Sequence, residues 1–179
     1  MTWRRIAMNG ILCALAMVAV TKASAANAGD DPYAPLRLYD GAWEATMASA
    51  PKDTVRLENH CAKTGLFFVC EQVVAGKTGA LLVFAPVAKL PGGGEEYHTK
   101  ALPPSGIPAG DWGKLTIDGD RWTYSWEDEE NGKKTYWRNV NVFTGSDAIH
   151  FELQNSTDGV TWKTQNSGDE RRVKAAPQP

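Results

Sequence analysis

The chain has 179 residues, of which 19 are basic and 21 acidic, so its formal net charge is −2. Removal of the first 25 residues takes away three basic residues and no acidic one, which leaves a net charge of −5. A mildly acidic chain without a basic cluster argues against a nucleic-acid or anionic-membrane partner, and the remaining length of about 150 residues suffices for one hydrophobic core.

The N-terminal segment has the order of features of a secretory signal peptide. The basic pair Arg4-Arg5 precedes the short apolar run Ile11–Val20, and small residues lead to Ala25, the predicted cleavage site, with Ala28 as the alternative. The apolar run falls short of the about 20 residues that a transmembrane helix needs. We therefore expect residues 1–25 to be a signal peptide and the mature chain to be periplasmic or secreted, without an integral membrane segment.

The rest of the chain is predicted to comprise a lead segment, one β-rich domain over residues 41–175 and a disordered tail at residues 176–179. The Pro-rich lead covers residues 26–40, and within it Leu36–Tyr39 suits a single helical turn. Runs rich in Val, Thr and aromatic residues are typical of strands. The runs are Ala42–Ala48, Thr54–Cys61, Leu66–Val74, Ala80–Val87, Glu96–Leu102, Trp112–Ile117, Arg121–Glu127, Lys133–Phe143, Ala148–Gln154 and Thr161–Val173, the last with an interruption expected near Ser167-Gly168.

Turn residues separate these runs. The pairs Asp118-Gly119, Asn131-Gly132 and Asp158-Gly159 are typical of tight β-hairpins, and the segment Gly76–Gly79 is predicted to be a further turn. The stretch Ser156–Trp162 nearly matches the Asp-box of sialidase-type hairpins, and we interpret it as a device that stabilises a turn. Consecutive hairpins favour an all-β, antiparallel up-and-down barrel of eight to ten strands over a two-sheet sandwich. We expect the run Leu81–Phe84, apolar on both faces, to be covered on its outer side as well.

The two cysteines outside the predicted signal peptide, Cys61 and Cys70, are expected to form a disulfide. An even number of cysteines in an exported chain favours pairing. A tight turn at Ala62–Gly65 would set Cys61 against Leu66 and leave the two sulfur atoms too far apart to bond. Two alternatives therefore stand, an open loop that the disulfide closes or two separately buried thiols, and we favour the disulfide.

Gly41 and Trp43 form a Gly-x-Trp motif at the start of the first predicted strand. The motif resembles the signature of lipocalins and of the wider calycin group of β-barrels, in which the Trp crosses the closed end and packs against an Arg of the last strand. The resemblance implies this structural role for Gly41 and Trp43, with Arg171 or Arg172 as the partner. Residues 115–162 are similar to an uncharacterised family of secreted bacterial lipocalin-like proteins, which implies the barrel fold and no established chemistry.

Binding of a small apolar or aromatic molecule is the function we expect first, because closed barrels of this size commonly hold one ligand in their interior. The predicted wall residues are aromatic, and they are Trp112, Trp122, Tyr124, Trp126, Trp137 and Phe151. The alternative is a structural or interaction protein of the cell envelope, with a barrel filled by its own side chains. A cavity larger than about 300 Å³ would favour binding.

We expect neither catalysis nor a metal site. No Ser or Cys is accompanied by a base and an orienting group. His60, His98 and His150 lack partners at the spacing of metal ligands. Haem binding in the manner of nitrobindin-type barrels, which the chain resembles only in general architecture, is a further alternative, and His98 is its better candidate for the axial ligand.

Overall fold

The residues that the structure describes form ten β-strands preceded by one short 3₁₀ helix. The computed structural model describes residues 31–104 and 110–174. The helix is Pro35–Tyr39, and the strands are β1 (Gly41–Met47), β2 (Thr54–Thr64), β3 (Phe67–Val74), β4 (Lys77–Lys89), β5 (Glu95–Leu102), β6 (Gly113–Asp118), β7 (Arg121–Glu130), β8 (Lys133–Thr144), β9 (Ala148–Ser156) and β10 (Lys163–Val173). The predicted signal peptide and C-terminal tail lie outside the described residues. No helix within those two described ranges has the length and apolar character needed to cross a membrane.

The ten strands form one closed antiparallel barrel. Each strand pairs with its neighbours in sequence, and β1 pairs with β10 to close the sheet. The prediction of an all-β up-and-down barrel of eight to ten strands is therefore confirmed, at the upper end of its range. The interruption expected near Ser167-Gly168 is absent from β10, where the register shifts instead between Thr164 and Asn166.

Residues with positive φ form the tight turns between neighbouring strands. Asn131 and Gly132, between β7 and β8, have φ angles of 53° and 72°. A two-residue hairpin turn of type I′ requires a positive φ at both positions. Ala75 and Gly76 have φ angles of 49° and 75° between β3 and β4. The turn predicted at Gly76–Gly79 is therefore wrong in position, because β4 already begins at Lys77.

The predicted disulfide between Cys61 and Cys70 is confirmed, with an S–S distance of 2.05 Å. The turn between β2 and β3 lies at Gly65 and Leu66, where Gly65 has a φ of 60°. This position sets Cys61 directly opposite Cys70, in the cross-strand relation that brings two Cβ atoms close together. The open loop, one of the two alternatives, is wrong, because the disulfide joins two paired strands.

The lead segment closes one end of the barrel. The 3₁₀ helix buries Leu36 and Tyr39. The ring of Tyr39 lies 6.4 Å from the rings of both Trp43 and Trp122, and Phe143 lies 4.6 Å from Trp122. Trp43 is fully buried, and its indole nitrogen donates a hydrogen bond to the carbonyl oxygen of Tyr39 at 3.1 Å. These side chains belong to the hydrophobic core, which is concentrated at this closed end.

Arg172 is the arginine that contacts Trp43. The two residues are partners in the register of β1 and β10, and the guanidinium carbon lies 4.2 Å from the centroid of the indole. Arg171 pairs with Glu44 and is exposed, because adjacent residues of a strand point to opposite faces. Of the two arginines named from the sequence, Arg171 therefore has no part in the contact.

The outer face of β4 is not covered, contrary to the expectation for Leu81–Phe84. Leu81 is 37% exposed, and its cross-strand partner on β5, Leu102, is 38% exposed. Leu82 and Phe84 point to the interior, where Phe84 is buried. Leu81 and Leu102 thus form an exposed apolar pair, because the described part of the chain forms a single sheet with no second layer outside it.

Candidate binding cavity

The barrel encloses a cavity of about 770 Å³ that opens at the end opposite the 3₁₀ helix. Every one of the ten strands contributes at least one lining residue, and Tyr39 of the helix contributes another. Side chains that alternate along each strand point into the barrel. The cavity is therefore the interior of the barrel itself, above the packed core of the closed end.

Apolar side chains form most of the cavity wall. They come from strands on all sides of the barrel, and they are Ala45, Met47, Val55, Leu57, Val74, Leu82, Ala101, Trp126, Phe151 and Leu153. Most are half-buried, with one side packed against neighbouring strands and the other turned to the interior. Such a surface releases water when an apolar molecule covers it.

A second group of lining residues is polar. Its members are Tyr39, Gln72, Thr99, Tyr124, Ser125, Asn139, Asn141, Asn166 and Glu170, together with Asp111 and Asp128. The Asn139 amide nitrogen donates to the side-chain oxygen of Asn141 at 3.1 Å. Behind the wall, the amide of Gln72 donates to Asn59, and Asn59 donates to the carbonyl oxygen of Tyr39. The polar residues are thus held partly by one another, and the cavity combines an apolar wall with several hydrogen-bonding groups.

Glu170 is the buried ionisable side chain of the cavity. It is only 8% exposed, and removal from water raises the pKa of its carboxyl group from 4.5 to about 7. Its Oε2 atom has no hydrogen-bond partner among the described residues, and the same holds for the hydroxyl oxygen of Tyr124. Burial, followed by the nearby charge of Glu170, raises the pKa of both Tyr124 and Tyr39 above the ordinary tyrosine value.

The charged groups that line the cavity are all acidic. Besides Glu170 there are two exposed carboxylates, Asp111 before β6 and Asp128 near the end of β7. Both lie at the open end of the barrel. None of the described lining residues is a Lys, an Arg or a His. The electrostatic potential of the interior is therefore set by carboxylates and by oriented amide and hydroxyl groups.

Three of the six aromatic residues predicted as wall residues line the cavity, namely Tyr124, Trp126 and Phe151. Trp122 shares the inward face of β7, yet it is buried in the core of the closed end. The alternation of side chains along a strand determines whether a residue points inward or outward. Its position along the barrel axis depends on the register of the strand with its neighbours. Trp122 lies too close to the start of β7 to reach the cavity.

The other two predicted wall residues line a groove of about 550 Å³ at the open end, outside the cavity. Trp137 stacks on Trp126, with ring centroids 6.2 Å apart and planes inclined by 8°. Trp112 precedes β6 and is 50% exposed. Trp112 and Trp137 are therefore not among the residues that line the cavity.

His98 does not fit the role of a haem ligand in the barrel interior. It lies on the outer face of β5 between Tyr97 and Thr99, which point inward, and it lines the outer groove. His60 and His150 are exposed as well. An axial ligand needs an inward His in an apolar pocket, and the described lining of the cavity contains none. Within residues 31–104 and 110–174, no group of three His, Cys, Asp or Glu side chains is arranged to hold a metal ion.

Sequence reasoning missed the polar residues of the cavity. Glu170 stands two positions before Arg172, so a strand that turns Arg172 toward Trp43 also turns Glu170 inward. On β8, Asn139 and Asn141 alternate with Val140 and Val142. That pattern suggests that the valines face inward, whereas the register with β7 sets Asn141 opposite the inward Trp122. Only the pairing of the strands reveals this inversion.

Comparison of the sequence with models of protein families gives no match, and no curated protein matches it either.

Proposed function

We propose that this protein binds a small apolar or aromatic molecule inside its barrel. The observation that carries the proposal is the cavity of about 770 Å³, which lies within the range of about 300–1,000 Å³ typical of sites for small molecules. Its wall is apolar over most of its area, and polar side chains from several strands stand among the apolar ones. Such a site favours a ligand by removing apolar surface from water, while the polar groups orient it.

The aromatic side chains of the wall support the same reading. Tyr124, Trp126 and Phe151 come from two different regions of the sheet, β7 and β9, and all three line the interior. Rings offer large, rigid contact surfaces, and offset or edge-on pairs of rings contribute about 0.5–1.5 kcal/mol beyond the effect of area. Because β7 and β9 both pair with β8, an aromatic or alicyclic ligand would meet these rings along one arc of the wall.

The size of the cavity also weighs against the alternative of a filled barrel with a purely structural role. In a filled barrel the tryptophans would occupy the interior, whereas Trp43 and Trp122 pack in the closed end and Trp112 and Trp137 line the outer groove. Trp126 alone among the described tryptophans lines the cavity. The large side chains are thus placed around the cavity and not across it.

We further infer that the chain is an exported member of the calycin group. The Gly-x-Trp motif opens β1, and Arg172 of the last strand covers the indole of Trp43. The disulfide between Cys61 and Cys70 suits an oxidising compartment. These features support the inference, and N-terminal sequencing of the protein purified from the cells that make it tests the predicted cleavage after Ala25 or Ala28.

Native mass spectrometry of the same purified protein is the most direct test of binding, because a retained adduct identifies the ligand by mass. Titration with N-phenyl-1-naphthylamine, a neutral apolar dye whose emission rises in apolar surroundings, gives the second readout. Leu82→Trp places a larger side chain in the cavity, and Leu81→Trp places the same side chain on the outer face of the same strand.

We expect the dye to bind to the unaltered protein and to the Leu81→Trp protein, and to bind at least about tenfold more weakly to the Leu82→Trp protein, because the apolar volume open to it is reduced. Direct excitation of the dye avoids any effect of the added indole on the readout. The proposal is overturned if no adduct is retained and the dye does not bind, or if both variants bind it equally well.

A further inference from the structure

Two oxygen atoms in the cavity wall lack a hydrogen-bond partner from the described residues. They are Oε2 of Glu170 and the hydroxyl oxygen of Tyr124, and both are buried. The two residues belong to different strands, β10 and β7, and both line the cavity. A buried polar group without a partner is costly, and more so when it is charged. A ligand that reaches these atoms can supply the missing hydrogen bonds.

The surroundings of Glu170 show which kind of group suits this position. Its cross-strand neighbours, Ala45 on β1 and Ile149 on β9, are apolar and buried. None of the described residues forms an ion pair with Glu170, and Arg172 is engaged with Trp43 instead. A buried carboxylate is normally paired with a cation. For Glu170 no described residue supplies that cation, so a cation would have to come from the cavity.

The rest of the lining favours a cation as well. The two other charged residues of the described lining, Asp111 and Asp128, are acidic, and no basic residue accompanies them. The aromatic side chains of Trp126 and Phe151 line the interior, and the faces of aromatic rings attract cations. An anionic ligand would meet three carboxyl groups and no positive charge. The same wall is apolar over most of its area, so the ligand must also have an apolar body.

On the basis of the proposed binding function, we infer that the ligand is an apolar molecule with a protonated amine head, and that this head binds at Glu170 and Tyr124. The ammonium group donates hydrogen bonds to the carboxylate of Glu170 and to the hydroxyl oxygen of Tyr124. The apolar body lies toward the open end, against side chains such as Met47 and Leu153. This arrangement pairs the two buried oxygen atoms and covers the apolar wall.

Ionisation of Glu170 accompanies the binding of the amine. Burial raises the pKa of Glu170 to about 7 in the ligand-free protein, so near neutral pH a part of the molecules carries a protonated carboxyl group. A cation beside the carboxylate favours its ionised form. The proton of Glu170 is therefore released to solvent as the amine binds, and the affinity for the amine rises with pH while the amine itself remains protonated.

The other groups that face Glu170 do not produce this dependence near neutral pH. Tyr39 from the 3₁₀ helix and Tyr124 from β7 stay neutral, because burial raises the pKa of both hydroxyl groups. The flanking residues of β1 and β9 are apolar. Asp111 and Asp128 lie at the open end and are exposed, where solvent screens their charge.

Competition against N-phenyl-1-naphthylamine tests the inference with three probes of one chain length, dodecylamine, dodecanol and dodecanoate. We expect dodecylamine to displace the dye at a concentration about tenfold lower than dodecanol, and dodecanoate to be the weakest, because hydrogen bonds to charged groups contribute more than neutral ones and like charges repel. Between pH 6 and pH 8 the affinity for dodecylamine should rise about tenfold, since this range spans the ionisation of Glu170, while that for dodecanol stays constant.

Glu170→Gln removes the charge and keeps the shape of the side chain. It should lower the affinity for dodecylamine about tenfold or more and change the affinity for dodecanol by less than about twofold, because only the ammonium group needs the carboxylate. Glu44→Gln, an exposed position on the neighbouring strand, is the matched control and should change neither. Tyr124→Phe is a second variant. It should also lower the affinity for dodecylamine selectively, but by less than Glu170→Gln does.

The outcomes separate this inference from the proposed function. If the dye does not bind to the unaltered protein, the proposed function itself fails. If the dye binds but dodecylamine competes no better than dodecanol, or if Glu170→Gln weakens all three probes equally, the amine-binding inference is overturned and the binding of apolar molecules stands. The pH dependence measured on the unaltered protein decides the matter even if Glu170→Gln does not fold.

Discussion

A Cβ atom on Gly41 would lie 2.9 Å from the Nη1 atom of Arg172. This is closer than real Cβ contacts, and the φ of 112° at Gly41 is itself a conformation that side chains disfavour. The guanidinium group cannot readily withdraw, because it donates hydrogen bonds to the carbonyl oxygens of Leu38, Asp40 and Ser146 while it covers Trp43. The close approach of Gly41 and Arg172 thus lets the guanidinium group bind the lead segment to the barrel through its hydrogen bonds.

Gly41→Ala should destabilise the protein by about 1–3 kcal/mol, since it combines a strained φ with displacement of Arg172. Urea unfolding followed by tryptophan fluorescence measures the change. Gly93→Ala, at a φ of 103° with no atom within 4 Å of the added Cβ, is the control for backbone strain alone. An equal loss at both positions would show that the contact with Arg172 contributes nothing.

Arg172→Lys should lower the free energy of unfolding by about 1–3 kcal/mol. Lysine keeps the charge but lacks the planar fork that reaches three carbonyl oxygens and stacks on an indole. Arg171→Lys, on the outer face one residue away, should stay within about 0.5 kcal/mol. Urea unfolding of both variants provides the comparison. A neutral result for Arg172→Lys would mean that the closed end does not depend on the guanidinium group.

Reduction of the disulfide should destabilise the barrel by about 2.5–3 kcal/mol, the value expected for closing a loop of this short length. Cys61 and Cys70 are separated by 9 residues in sequence. Intact mass with and without reductant tests the bond itself, and urea unfolding of the double variant Cys61→Ala/Cys70→Ala tests its contribution. Alkylation of both thiols without prior reduction would contradict the bond in the isolated protein.

The stability of the ligand-free protein should fall as the pH rises from about 4.5 to about 7. The pKa of Glu170 is 4.5 in its ordinary state and about 7 when folded. In this range the unfolded chain therefore loses the proton of Glu170 while the folded protein retains it, and the loss amounts to about 3 kcal/mol at most. Above pH 7 this contribution no longer changes.

Chemical unfolding of wild-type protein and of the Glu170→Gln variant at pH 5 and pH 8 measures this contribution. The variant lacks the titrating group. Its free energy of unfolding should therefore fall less between pH 5 and pH 8 than that of the wild-type protein. Identical pH profiles for the two proteins would show that Glu170 is not desolvated in the folded state.

Ser156→Ala should cost about 1 kcal/mol, because it removes a hydrogen-bond acceptor within a turn. The Ser156 hydroxyl accepts from the backbone nitrogen of Gly159 at 2.9 Å and donates to Asp158 at 2.8 Å. Backbone N–H groups of Thr161 and Val160 hold the pKa of Asp158 well below its usual range. The stabilisation from Asp158 is therefore lost as the pH falls below its ordinary pKa of 3.8. Thr157→Ala, exposed in the same turn, is the control in thermal unfolding, and equal losses would contradict this role of Ser156.

The sequence by itself determined the class of the fold. Strand runs separated by left-handed turn residues such as Asn131-Gly132 can form only consecutive hairpins, and a sheet of ten such strands buries its apolar face by closing on itself. The even number of cysteines favoured the pairing of Cys61 with Cys70, and the residues just before Gly41 indicated the single helical turn. In each case the signal lies in residues that are close in sequence, so no knowledge of distant contacts is needed.

Only the tertiary structure decided what the interior contains. Whether Trp122 or Trp126 reaches the cavity depends on its height along the barrel, and that height follows from the register of strands far apart in the sequence. The same register turns Asn141 inward and leaves Glu170 against apolar neighbours without a cation. The sequence of a single strand does not determine the position of its residues along the barrel axis or their cross-strand neighbours. Both are set only when all ten strands pair and the barrel closes.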